Sequence, residues 1–229
     1  MGANVRLDHF MEEAVGRYYA AQQPFGKEGD FITAPEVSQL FGECIAIWMM
    51  LCFENVPEIE ILEIGGGNGT LLADILPVFS KMRKAPPIRR ICMVEKSAAL
   101  KETQQTTLKH YQREFNCRWY DDIQGAEREG RAPSTFRVLI CNELFDALPI
   151  RQFIYKSGEW REVYVDALRK KFMHGLPLQG EAGHIHKLIS LHSLSAREGM
   201  VLEYPEAGLQ MLKQICRYLQ NGREGAGII

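Results

Sequence analysis

This 229-residue chain has no hydrophobic run long enough to cross a bilayer: its most apolar stretch, residues 44–53, falls far short of the ~20 residues a spanning helix needs. That stretch reads instead as the buried end of an amphipathic helix, which argues against membrane insertion. The six cysteines (Cys44, Cys52, Cys92, Cys117, Cys141 and Cys216) show no C-x-x-C spacing and lie mostly in apolar runs. They read as reduced core thiols and point to a reducing compartment. A net charge of -2 gives no electrostatic case for a nucleic acid or an anionic membrane. Local basic pairs such as Arg89-Arg90 and Lys170-Lys171 read as solvated. No G-x-S-x-G elbow, H-E-x-x-H pair or G-x-x-x-x-G-K-[ST] loop occurs, nor any internal repeat or low-complexity tract. His184, His186 and His192 have no cysteine or carboxylate cluster to complete a ligand set, so no metal is expected. The first residues hold an acid, few arginines and no apolar secretory core, so neither a signal peptide nor a mitochondrial presequence is read there. Arg6 stands where a myristoylation signal needs Ser or Thr.

What is present suits a globular α/β protein. With 46% hydrophobic and 24% charged residues, the chain can bury a sizeable core, and its length fits one α/β domain with an insertion. Residues 59–64 read as a buried parallel strand running into the turn Gly65-Gly66-Gly67-Asn68-Gly69 and then a helix. Gly65, Gly67 and Gly69 allow positive φ and close approach of the backbone to a ligand, the arrangement that receives a nucleotide-like cofactor. The dinucleotide fingerprint G-x-G-x-x-G would need glycine at Thr70. The pattern is instead E-x-G-x-G-x-G with Glu63 at the strand end, which resembles the first motif of S-adenosylmethionine-dependent methyltransferases. A second apolar run, residues 88–94, ends in Glu95. An acid at that strand tip is suited to accept hydrogen bonds from both ribose hydroxyls; the plain alternative is a solvated glutamate.

Thr33-Ala34-Pro35-Glu36 predicts a capping box that opens a helix before the first strand. Val37, Leu40, Phe41, Cys44, Ile45, Trp48 and Leu51 recur along one face at helical spacing, and that face is expected in the core. Residues 71–82 continue as a helix, with Pro77 expected to kink or break it. Residues 97–115 form a polar helix with Leu100, Leu108 and Tyr111 as a sparse buried stripe. Short strands follow at 117–120 and 136–141, separated by a charged loop. This alternation predicts a doubly wound, mostly parallel sheet. After Pro149 the pattern changes to a hairpin, residues 152–155 and 160–165 about a Ser157-Gly158 turn, then a loop-rich or helical insertion near 184–194. A helix over 210–219, with Leu212, Ile215 and Leu219 inward, leads to a further strand at 225–229, where the chain ends and the last strands of such a sheet are expected to be missing. The organisation is therefore read as an N-terminal helical segment (1–56), a core with the cofactor site (57–149), an inserted hairpin and helical subdomain (150–205) and a return to the core (206–229).

In a doubly wound sheet the ligand lies across the carboxyl ends of the strands, so Glu63, Gly65, Gly67, Gly69, Glu95, Asp121 and Asn142 are expected to converge. Asp121 or Asp122 would accept an exocyclic amino group of adenine. Leu144 and Phe145 suit either core or cofactor wall. Glu143 and Asp146, three apart at a strand end, form a pair of acids suited to a guanidinium, which is planar and bound through a fork of donors. The alternative is that Asp146 caps the following segment and Glu143 is solvated.

Three blocks taken together are similar to one family. Residues 24–43 (PFGKEGDFITAPEVSQLFGE), 63–70 (EIGGGNGT) and 142–149 (NELFDALP) resemble the MidA-like methyltransferases, and Glu203-Tyr204-Pro205 resembles a later element of that family. The resemblance implies a Rossmann-like S-adenosylmethionine-dependent methyltransferase fold with an inserted subdomain, S-adenosylmethionine as cofactor, and methylation of a protein arginine. It further implies a protein substrate, with a respiratory complex I subunit as the candidate, because mitochondrial members assemble that complex. It suggests that the loop before the first helix borders the site, with Asp30, Thr33, Glu36 and Ser38 as candidates. Competing readings are a non-catalytic cofactor-binding assembly factor, a small-molecule methyltransferase and a nicotinamide oxidoreductase. A bacterial cytoplasmic location fits the missing presequence; a mitochondrial matrix protein with its leader removed is the alternative.

Overall fold

The computed structural model describes residues 4–21, 32–129, 135–166, 168, 171–176, 187–188, 195–220 and 225–228. Asp30, His184, His186, His192 and most of the insertion expected near 184–194 lie outside the described residues. The elements begin with β1 (Asn4–Arg6), α1 (Leu7–Ala21), α2 (Ala34–Val37), α3 (Gln39–Cys52), β2 (Ile59–Ile64) and α4 (Thr70–Lys81). They continue with β3 (Ile88–Val94), α5 (Ala98–Thr107), β4 (Cys117–Tyr120), α6 (Ile123–Arg128), β5 (Phe136–Ile140) and a 3-10 turn (Phe145–Ala147). The rest are β6 (Arg151–Lys156), β7 (Glu159–Asp166), β8 (Lys171–Gly175), β9 (Val201–Tyr204), α7 (Glu206–Gln220) and β10 (Gly225–Ile228). They divide into two compact units, one of residues 18–146 and 212–229, the other of residues 1–17 and 147–211.

The first of these units is built on a parallel sheet of strand order β4-β3-β2-β5-β10. Every residue of β2 is buried, as an apolar strand between helical layers must be. The order reverses between β2 and β5, so the carboxyl ends of these two strands flank the switch point at which open α/β sheets receive ligands. Ile61, Leu72, Ile75, Leu76, Met93 and Leu108 are fully or almost fully buried and form the centre of the core with α3 and α4. α4 runs through Pro77 to Lys81, so the expected break is not made; the proline withholds only the one backbone donor it lacks. α5 ends at Thr107 instead of continuing to 115. Turns over 108–116, with Asn116 at φ 49°, carry the chain into β4.

The helix before β2 differs more. The Thr33 side chain makes no cap bond, and Ser38, with extended backbone, divides the expected helix into α2 and α3. Ser38 Oγ accepts from Leu40 N at 3.2 Å and so caps α3. The core line of α3 is Gly42, Ala46 and Met49, while Val37, Leu40, Trp48 and Leu51 are exposed, Leu40 by 66% and Leu51 by 72%. Small residues decide this face. A Cβ on Gly42 would lie 2.5 Å from Asp74 Cβ, so α4 approaches closely only along the line that has no side chain there. Three of the expected core thiols, Cys44, Cys52 and Cys216, are likewise exposed, with Cys92 and Cys141 buried. In α7 the buried large side chains are Ile215 and Tyr218, whereas Leu212 is 39% exposed.

One cluster of buried charge ties α7 to this sheet. Glu60 of β2 accepts from Arg90 Nε and Nη2 at 2.9 and 2.6 Å through one oxygen, and from the Tyr218 hydroxyl at 2.5 Å through the other. Arg137 Nε lies 3.3 Å from the same second oxygen, at ion-pair distance without hydrogen-bond alignment. Its guanidinium stacks 3.8 Å from the Tyr218 ring centroid and donates to the Tyr218 carbonyl.

The second unit is an antiparallel sheet. β6 and β7 form the expected hairpin, turning at Ser157 (φ 56°) and Gly158 (φ 81°), the two positive φ values of a type I′ turn. β9 pairs with β6, and both β1 and β8 pair with β7. Phe153 and Trp160 form one small core and Leu7, Val163 and Val165 another. Arg151 and Glu162 make a buried ion pair at 2.8 Å. Among the described residues no helix is long and apolar enough to cross a membrane.

The Glu60 cluster predicts a specific cost. Glu60→Gln takes the carboxylate from buried Arg137 and leaves Arg90 only its bond to Glu129 at the rim, and urea unfolding is expected to show a loss of about 3 kcal/mol. A loss below about 1 kcal/mol would mean that the cluster is not what holds α7 to the sheet.

Candidate functional site

The turn after β2 carries the strongest local signal. Gly65, Gly67 and Gly69 have φ values of 69°, 52° and 81°, so all three occupy the left-handed region that other residues adopt at a cost. A Cβ on Gly65 would lie 2.8 Å from Leu144 Cδ1, and one on Gly66 would lie 2.5 Å from Glu63 Oε2. Both faces of the turn are therefore closely approached. Glu63 itself is 2% exposed, and its Oε2 has no hydrogen-bond partner among the described residues. Burial, and secondarily the charge of Glu95, push its carboxyl up to about 8. A carboxyl in this state carries an unused acceptor beside the turn, a defect that a ligand N–H or ammonium group would repair.

The next strand tip supplies a second carboxylate. Glu95 Oε1 accepts from Ser97 N at 2.8 Å, and Gln104 Nε2 lies 3.4 Å from Oε2. Burial raises its pKa above the ordinary carboxyl value, and the backbone N–H groups of Ser97 and Lys96 oppose the rise. The same Gln104 nitrogen donates to Gly67 O at 2.9 Å, while Gln104 Oε1 accepts from Trp119 Nε1 at 3.0 Å. One amide thus joins the glycine turn, the Glu95 carboxylate and β4.

The remaining candidates are placed as follows. Asp121 is exposed and pairs with Lys101. Asp122 is the N-cap of α6, accepting from Gly125 N at 2.6 Å. Asn142 and Glu143 follow β5, with Glu143 exposed at φ 52°, and Asp146 is exposed within the 3-10 turn. The left-handed backbone takes Glu143 out of helical register, so the three-residue spacing does not by itself align it with Asp146. Glu36 makes no capping box. Its Oε1 accepts from Thr70 Oγ1 at 2.7 Å and from Asn68 Nδ2 at 3.3 Å, which ties α2 to the glycine turn 30 and more residues away. Thr33 and Ser38 flank α2, the latter engaged as the α3 cap. Among the described residues no group of His, Cys, Asp and Glu is placed to hold a metal ion.

Sequence reasoning passed over Gln104, Gly66, Asn68 and Trp119. A signal existed for the first: Gln104 sits between Leu100 and Leu108 on the buried stripe of α5 and is itself fully buried, and a polar residue on an apolar stripe must find partners. No comparable signal marks Trp119, whose role depends on where β4 lies.

Residues 44–229 match the model of the family described as "Putative S-adenosyl-L-methionine-dependent methyltransferase". The chain belongs to this family of MidA-like S-adenosylmethionine-dependent methyltransferases. It is 35% identical over 168 residues to the mouse mitochondrial protein arginine methyltransferase NDUFAF7, covering 65% of this chain and 38% of that protein. It is 33% identical over 194 residues to the Caenorhabditis elegans NDUFAF7 homolog, covering 76% of this chain and 43% of that one. The chain therefore spans about two-fifths of the length of these relatives. A crystal structure of a COG1565 superfamily member from Burkholderia thailandensis bound to S-adenosyl-homocysteine superposes with a TM-score of 0.74 at 24% identity, covering 99% of this chain and 57% of that one. That likeness shows the fold: a Rossmann-like methyltransferase α/β architecture, as expected from the residues. The family's cofactor is S-adenosylmethionine.

For this family member the buried Glu63 carboxyl has a measurable consequence. Its value of about 8 in the folded chain lies above the ordinary 4.5, so between those limits the folded state binds more protons and stability falls as pH rises. Glu63→Gln removes that fall. In urea unfolding without cofactor the variant is expected to gain on the parent progressively from pH 4.5 to 8 and to hold the difference above that. Parallel stability curves for the two proteins would contradict the placement.

Proposed function

We propose that this chain forms the cofactor-binding part of a methyltransferase that transfers the methyl group of S-adenosylmethionine to an arginine of a protein substrate. The observation that carries the reading is the buried Glu63 Oε2, which has no partner among the described residues, beside three positive-φ glycines at the switch point of a parallel sheet. S-adenosylmethionine supplies an electrophilic methyl group on a sulfonium, so the protein's tasks are alignment and removal of a proton.

In this reading Glu63 accepts from the ammonium of the cofactor's amino-acid end, and Gly65, Gly67 and Gly69 admit that end against the backbone. Glu95 accepts from the ribose hydroxyls, with its orientation held by the Ser97 N–H. Asp121 or Asp122 accepts from the adenine amino group, in either case through the oxygen not engaged with Lys101 Nζ or Gly125 N. Asn142 borders the site at the end of β5. Glu143 and Asp146 hold the guanidinium and receive its proton, and the unfavourable φ of Glu143 is the kind of local strain found where a side chain must be aimed. Glu36, Thr33 and Ser38 border the site through the Glu36 bonds to Asn68 and Thr70, with Asp30 preceding them in the same segment. The relatives named protein arginine methyltransferases support a protein acceptor, and their mitochondrial designation favours the mitochondrial matrix over a bacterial cytoplasm. The family resemblance makes a respiratory complex I subunit the candidate substrate.

Calorimetric titration tests the cofactor half of the proposal. S-adenosylhomocysteine is expected to bind and NADH not to bind, with binding lost in Gly67→Val, where a β-branched side chain meets positive φ. Because Glu63 must ionise to pair with an ammonium, affinity is expected to climb between pH 6 and about 8, by up to roughly tenfold per pH unit, and then level. Binding of NADH in preference, or no binding of either, would overturn the reading.

Transfer tests the second half. With tritiated S-adenosylmethionine and an unmethylated mitochondrial extract, label is expected in methylarginine after protein hydrolysis. Glu143→Gln is expected to slow that transfer about 100-fold or more while changing S-adenosylhomocysteine affinity less than about twofold. Label confined to small molecules would make the acceptor a metabolite instead.

A further inference from the structure

We infer that Gln104 is a positioning residue that fixes both halves of the cofactor site at once, and that Trp119 sets its orientation. This inference rests on the cofactor reading of the glycine turn and Glu95. Gln104 is fully buried on α5, directly beneath the turn: a Cβ on Gly69 would lie 3.4 Å from Gln104 Cα. Its side-chain nitrogen donates to Gly67 O at 2.9 Å and faces Glu95 Oε2 at 3.4 Å; its oxygen accepts from Trp119 Nε1 at 3.0 Å.

The chemistry of the three partners leaves one arrangement. An indole N–H only donates, so Trp119 must face the amide oxygen. A backbone carbonyl and an ionised carboxylate only accept, so both must face the amide nitrogen, whose two hydrogens serve one each. Each partner supports the orientation that the others require, and reversing the amide would oppose an N–H to an N–H and an oxygen to two oxygens. The consequence reaches the ligand. With Gly67 C=O tied down toward α5, the plane of the following peptide is set, and its N–H is held away from α5. With Glu95 held through Oε2 by Gln104 and through Oε1 by Ser97 N, the carboxylate cannot rotate freely at the ribose position. The residue itself touches neither the expected ribose nor the amino-acid end; it acts through groups that do.

The test compares S-adenosylhomocysteine affinity by calorimetry in the parent chain, Gln104→Leu, Gln104→Glu and Trp119→Phe, each across pH 5.5 to 8. Gln104→Leu keeps the volume and removes every donor; about a tenfold or greater loss of affinity is expected, the same at each pH relative to the parent. Gln104→Glu supplies a single O–H donor when protonated and a repelling carboxylate when not, so its deficit relative to the parent is expected to shrink several-fold as pH falls. A residue that served only packing would lose little in Gln104→Leu, which keeps the volume, and would not register Trp119→Phe, which leaves position 104 unchanged. Trp119→Phe retains the amide and frees its orientation, and a smaller, severalfold loss is expected from a change at a partly buried position. Should Gln104→Leu not fold, the Gln104→Glu pH dependence and the Trp119→Phe loss decide the matter. A parent chain that binds S-adenosylhomocysteine while Gln104→Leu or Trp119→Phe binds it within twofold, or a pH-independent Gln104→Glu deficit, overturns the positioning role alone. A parent chain that does not bind overturns the cofactor reading and this inference with it.

Discussion

A single buried strand carrying two carboxylates sets the terms for the unit that holds the candidate site. β2 lies at the centre of a parallel sheet and is buried along its whole length, so any charge on it must be matched locally. Glu60 and Glu63 are three residues apart and therefore face opposite sides of the sheet. On one side Glu60 is met by two arginines and a tyrosine, all buried. On the other, Glu63 has no donor for Oε2 among the described residues. The same side-chain type in the same strand is thus fully engaged in one case and left with an open acceptor in the other, and the difference lies in what the neighbouring described elements bring to it.

Around Glu63 the turn and its supports form a layered arrangement. The glycines take positive φ because the backbone must turn sharply from β2 into α4, and Gly66 lacks a side chain where Glu63 needs the space. Gln104 anchors the turn from below, Leu144 closes over Gly65, and Glu36 binds the start of α4 from the side. Each support comes from a different part of the chain. A rigid cradle with one unsatisfied acceptor is favourable for binding because the order it imposes is already present before the ligand arrives.

Much of this was legible in the sequence, for identifiable reasons. The strand-turn-helix around residues 59–81 combines an apolar run with glycines whose spacing fixes their purpose, and β4 and the β6–β7 hairpin were marked by strand and turn chemistry at nearly the observed limits. The α2–α3 region was misread because helical periodicity ranks faces by hydrophobicity, whereas the packing selected Gly42 and Ala46 for closeness of approach to α4. The capping box at Thr33 failed for a related reason: Glu36 has better partners in Thr70 and Asn68, which are distant in sequence and near only after folding. Gln104 shows the intermediate case, since its place on an apolar stripe was visible but its three partners were not. Long-range hydrogen bonding is what local pattern omits.

In the proposed function the buried Glu63 carboxyl stays protonated, with no donor to Oε2 among the described residues, until a cationic ligand group reaches it. Carbon-13 NMR titration of the Glu63 carboxyl, with and without saturating S-adenosylhomocysteine, tests it most directly. A value near 8 is expected in the free protein, falling well below that on loading as the ammonium takes up Oε2. An ordinary carboxyl value in the free protein, or a value that loading leaves unchanged, would contradict it.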